Sequence, residues 1–164
     1  MIQINVTLPK KLFANKEWVE AMANSMKHNT APTLKKLFRQ SVYGWSDKPS
    51  FRQKLTRHAA ELSMEVYTEH DIYGLVNAGS PRHWIPKSGT TFQRFRKGYR
   101  PATRPGSLQS GRAYRSQPWW TAYRVDHPGF QARKFDELVA KEYSPQFHRE
   151  IMRSFATAAK RMFS

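Results

Sequence analysis

Residues 119–135, WWTAYRVDHPGFQARKF, constrain the fold of this chain more than any other stretch. Trp119, Thr121, Tyr123 and Val125 alternate with Trp120, Ala122 and Arg124. A period of two in aromatic and β-branched residues predicts a strand. Asp126-His127-Pro128-Gly129 should stop it, because proline fixes φ and lacks an N–H while glycine accepts positive φ. Phe130 and Phe135 flank a short polar segment that leads into a helical pattern.

The remaining elements follow from periodicity. Ile2, Ile4, Val6 and Leu8 alternate with polar residues, predicting a half-buried strand that Pro9 ends. Trp18, Val19, Met22 and Met26 keep helical spacing, and Leu34, Leu37, Phe38 and Val42 resume it. Pro32 lies between the two sets, so they form one kinked helix or two consecutive ones. Ser46 to Ser50 is a turn-rich break. Leu62, Met64 and Val66 predict a second strand, while Ile72 to Val76 fits a short strand or one helical turn equally well. Phe135, Leu138 and Val139 open a C-terminal helix. Ser144-Pro145 should restart it, with serine as N-cap and proline at the first helical position. Phe147, Ile151, Phe155, Ala158 and Met162 then share one face. This order predicts an α+β domain, with N-terminal and C-terminal helices packed on a small antiparallel sheet. At 164 residues the chain, 1–164, is expected to be a single domain.

Charge is lopsided. Twenty-eight Lys and Arg face twelve Asp and Glu, a formal charge of +16, which calls for a negatively charged partner. From Ile72 to Val125 there is no acidic residue, yet the stretch holds Arg82, Lys87, Arg94, Arg96, Lys97, Arg100, Arg104, Arg112, Arg115 and Arg124. Its middle is rich in Gly, Ser, Thr and Pro and cannot bury much apolar area. Residues 88–118 therefore read as a long basic arm or loop, or a loose hairpin, within the domain. Such an arm can contact nucleic-acid phosphates, with Phe92, Phe95, Tyr99 and Tyr114 stacking on bases. It can equally dock on an acidic protein neighbour, line a pore that DNA threads, or remain a solvated loop.

The residues offer little for catalysis. No nucleophile elbow, phosphate loop or dinucleotide fingerprint occurs, and cysteine is absent. None of the six histidines, His28, His58, His70, His83, His127 and His148, pairs with another at a metal-ligand spacing. His70-Asp71 and Asp126-His127 are neighbours whose side chains should face opposite ways. Glu61 and Glu65 fit a solvated strand face. No catalytic residue, metal or cofactor is expected. No apolar run is long enough for a membrane span, no signal-peptide pattern opens the chain, and residence in a cytoplasm is expected.

The succession Tyr73, Val76-Asn77, Gly79-Ser80-Pro81, His83-Trp84-Ile85-Pro86-Lys87, His127-Pro128-Gly129 and Ala132-Arg133-Lys134-Phe135 resembles a family of tailed-phage virion proteins. These are the neck or tail-completion proteins of long-tailed phages, also called minor tail components. The resemblance covers roughly residues 15–163, and the His-Pro-Gly turn ahead of a helix is its most specific motif. The chain departs from the family in having Gly-Ser where members show Gly-Thr, and in a longer, more basic arm. The resemblance implies a non-enzymatic structural protein of the head–tail junction, assembled in the host cytoplasm and resident in the virion. It implies a homo-oligomeric, hexameric ring around the DNA channel, contacting neighbouring connector and tail-tube or terminator proteins. DNA would pass close by without specific binding, and no membrane is involved. Arg94, Arg96, Lys97, Arg100, Arg104, Arg112 and Arg115 would then face a neighbouring subunit or DNA. Tyr73, Gly79, Pro86, His127, Pro128 and Gly129 would shape the backbone.

Two other classes fit a small basic α+β chain. A ribonuclease toxin would use scattered groups such as Arg94, Arg96, Tyr99 and His127, provided they come within hydrogen-bond reach. A nucleic-acid-binding module would place its cations on a recognition element, and here they fall on a loop.

Overall fold

The structure, a computed structural model, describes residues 2–7, 16–58, 61–85, 93–96, 102–111, 119–122 and 125–162. In chain order the elements are β1 (Ile2–Thr7), α1 (Lys16–Ser25), a π-helical turn (Met26–Thr30), α2 (Ala31–Ser41), β2 (Arg52–His58), β3 (Glu61–Tyr67), α3 (Asp71–Ala78), β4 (His83–Ile85), β5 (Gln93–Arg96), β6 (Trp119–Ala122), β7 (Val125–His127) and α4 (Phe135–Met162). The fold class is α+β. The chain divides into two compact units, one built from 1–39, 50–68 and 136–164, the other from 40–49 and 69–135.

The first unit contains an antiparallel sheet of order β1-β3-β2. Its central strand follows the predicted alternation: Leu62, Met64 and Val66 are fully buried. Val19, Met22, Met26, Leu34 and Phe38 from the N-terminal helical segments and Val139, Tyr143 and Ala158 from α4 complete this core. Phe38 stacks on Phe51 with ring centres 5.1 Å apart, and Trp18 meets Phe155 at 5.2 Å. Strand β2 has no counterpart in the sequence reading. Leu55 is its only aliphatic residue, and pairing with β3, rather than its own pattern, makes it a strand.

Pro32 does not break the N-terminal helix. The turn before it widens, so that the Ala31 N–H donates to Met26 O, five residues back. Thr33 Oγ1 donates to Asn29 O at 2.8 Å, giving that carbonyl a partner in the altered stretch. α1, the π turn and α2 thus follow one another without interruption. Pro145 likewise fails to restart a helix as expected and sits inside α4. Its ring removes a hydrogen bond to the Lys141 carbonyl, but both residues are exposed and water can replace it.

One polar cluster sits at the edge of this core. Glu150 accepts from the Tyr143 hydroxyl at 2.5 Å, from Thr30 Oγ1 at 3.3 Å and from Gln146 Nε2 at 2.8 Å. Burial, and then the bond to Glu150, push the Tyr143 phenol well above its ordinary pKa.

In the second unit, the ambiguous segment after Glu69 is helix α3. His70 caps it: its Nδ1 accepts the Tyr73 N–H at 3.3 Å, and its Nε2 lies 3.2 Å from Asp47 Oδ2. The strand expected over 119–125 is two strands with different partners, β6 pairing with β5 and β7 with β4. β7 also extends through His127, so the strand stops at Pro128 rather than at Asp126.

Candidate functional site

Two turns far apart in sequence interlock. α3 ends at Gly79, whose φ is +79°, and its N–H donates to Leu75 O at 2.9 Å. Ser80 and Phe130 then exchange backbone hydrogen bonds of 3.0 and 2.9 Å. The Arg133 and Lys134 N–H groups donate to Val76 O and Asn77 O at 3.2 and 3.1 Å, satisfying carbonyls that the end of α3 leaves open. A Cβ on Gly79 would sit 2.6 Å from Ala132 N, and one on Gly129, also at φ +79°, would strike Ser80 O and come within 2.6 Å of the Pro81 carbonyl carbon. Only glycine fits both places. Tyr73 and Phe135, both buried, stack beneath with ring centres 5.5 Å apart. Arg133 is buried near the end of α3, where the helix dipole favours a cation, and its Nη1 donates to Gln131 O at 3.0 Å.

Beyond the interlocked turns, β4 pairs with β7 and sets His83 directly opposite His127. Their ring centres are 5.0 Å apart. His83 Nδ1 lies 2.8 Å from Pro81 O and 3.1 Å from the Ser80 hydroxyl. His127 Nδ1 accepts the Gly129 N–H at 3.0 Å. The two imidazoles are neighbours across the β4–β7 pair. Their separation of 44 positions hid this pair from any reading of ligand or acid–base spacing. Asp126, on the other side of β7, takes a two-pronged hydrogen bond from the Arg82 guanidinium.

The basic insertion leaves between β4 and β7. Arg94 and Arg96 fall on β5, paired with β6. Arg104 is exposed within 102–111. That segment lies against its unit instead of standing off it. Gly44 N–H donates to Ser110 Oγ at 2.7 Å, Ser110 Oγ donates to Gln40 O at 3.3 Å, and Thr103 is buried. Lys97, Arg100, Arg112, Arg115 and Pro86 lie outside the described residues, while Pro128 is exposed at the interlocked turns.

The outer side of α3 is apolar. Ile72 and Leu75, three residues apart, are 51% and 54% exposed while Tyr73 points inward at 3%. The sequence signal for this surface was an apolar run too short to assign to a helix or a strand.

Among the described residues no group of three or more His, Cys, Asp or Glu is placed to hold a metal ion, and no helix is long and apolar enough to cross a membrane. No family model, curated protein or solved structure matches the chain.

Proposed function

We propose that this chain is a structural protein of the head–tail junction of a long-tailed phage. It assembles as a ring around the DNA channel and joins adjoining connector and tail-tube or terminator proteins. The observation that carries this reading is the mutual fit of the Gly79 and Gly129 turns. Of the segments that bear the family resemblance, Val76-Asn77, Gly79-Ser80-Pro81, His127-Pro128-Gly129 and Ala132-Arg133-Lys134 come together there. A second support is the cationic insertion rooted between β4 and β7, since a limb of one charge sign suits contact with an acidic neighbour or with threaded DNA. Deleting the coding sequence from the genome that carries it tests the reading. Full heads and detached tails are expected, and normal joined particles contradict it.

One observation favours a ribonuclease instead. His83 and His127 stand side by side, and a pair of imidazoles is what acid–base cleavage of RNA can use. Incubation of purified protein with RNA, using His83→Ala as control, separates the two. The neck reading expects no cleavage.

A further inference from the structure

The outward side of α3 leaves apolar surface half-exposed while Tyr73 packs inward. Ile72 and Leu75 stand out from it, Gly74 and Asp71 beside them are exposed, and the N-terminal end carries Asp71 and the exposed Asp47 held near His70. No Lys or Arg occurs between Arg57 and Arg82, whereas the next stretch to Val125 is cationic and acid-free. The chain therefore separates its charge along the sequence: α3 carries Asp71 and no cation, and the insertion carries cations and no acid.

We propose that this face of α3 is the seat for the basic insertion of a second copy of the same chain. The contact rests on the ring reading and specifies its interface. It is head-to-tail: the limb of one subunit covers Ile72 and Leu75 of the next, with cations of the insertion meeting Asp47 and Asp71. Copies of a chain of charge +16 repel one another, and α3 itself carries no Lys or Arg. Because the two patches differ, each subunit offers one and receives the other, and the chain of contacts closes as a ring when the rotation permits. Apolar residues supply the central contact and the opposed charges set its orientation.

Charge exchange tests this directly. The acceptor variant carries Asp47→Lys with Asp71→Lys, and the donor variant carries Arg94→Glu with Arg96→Glu. Sedimentation should show each alone with weakened association, and an equal mixture should recover the wild-type oligomer, since the exchanged positions then face opposite charges at each junction. Ile72→Ser with Leu75→Ser, at exposed positions where folding is insensitive, should weaken association at least tenfold. Circular dichroism checks that every variant is folded. If the wild type is oligomeric and these variants leave it so, or the mixture of folded variants stays monomeric, the interface is wrong while the ring reading stands. If the wild type is itself a monomer the interface is wrong, and if that monomer cleaves RNA the ring reading fails with it. Binding of duplex DNA that the α3 changes do not affect, with no self-association, assigns the limb to nucleic acid and overturns the proposal.

Discussion

Gly129 lies against Ser80 so closely that a Cβ on the glycine would strike the serine carbonyl oxygen. This contact joins the end of β7 to the end of α3 and sets the path into α4. Gly129→Ala should therefore destabilise the protein by about 2–4 kcal/mol, combining a disfavoured positive φ with a backbone clash. Gly79→Ala should cost a similar amount. Gly74→Ala, on exposed helix with open space around it, should be neutral or slightly stabilising. Urea titrations of the three variants make the comparison, and equal midpoints would contradict the account of the turns.

His127 acts in the turn through one atom, the Nδ1 that accepts the Gly129 N–H. An asparagine places an amide oxygen near that position. His127→Asn should be close to wild type in stability, whereas His127→Leu should lose about 1 kcal/mol because the Gly129 donor loses its partner. Equal losses in both variants would show that ring packing on His83, rather than the hydrogen bond, is what matters.

Tyr143 gives the first unit an alkaline limit. Its phenol is held above the ordinary value by burial and by Glu150, so folding favours the protonated form. The unfolded chain releases this proton from about pH 10, the folded chain only at higher pH. Over that range the unfolded state binds fewer protons, and stability falls as pH rises. Below pH 10 the contribution is fully present. Tyr143→Phe should flatten this alkaline slope in denaturation midpoints measured from pH 8 to 11, and should cost about 1 kcal/mol at neutral pH through the lost bond to Glu150. An unchanged slope would contradict the assignment.

Met64 sits at the middle of the central strand with no exposure, opposite Ile4 on one side and Leu55 on the other. Met64→Ala should cost about 2–5 kcal/mol by leaving a cavity. Calorimetry should show a lower melting temperature, and an unaltered one would place the core elsewhere.

The parts of the fold that could be read from sequence were those where side-chain pattern and backbone demand agree. β3, the N-terminal helices and the start of α4 bury most of the residues their periodicity marks, and Ile4 and Val6 of β1 are half-buried as the alternation predicts. β2 was not legible because Arg52–His58 is mostly polar and owes its conformation to a neighbouring strand. α3 was not legible because eight residues with an apolar outer face show no clear period. At Pro32 the sequence left one kinked helix or two open, and widening of the preceding turn lets the helix continue; Pro145 misled, because solvent exposure lets α4 run through it. Of the candidate site, Gly79 and Gly129 could be named from their sequence context as turn residues. That they fit into each other, and that His83 lies against His127, are facts of pairing between distant segments, which no local pattern encodes.

The central claim is that the chain builds a closed ring through its own surfaces. Native mass spectrometry of the purified protein tests it most directly. The account predicts a closed oligomer at six times the 19.2 kDa chain mass, with no RNA-cleaving activity. A single species at 19.2 kDa that degrades RNA would contradict it.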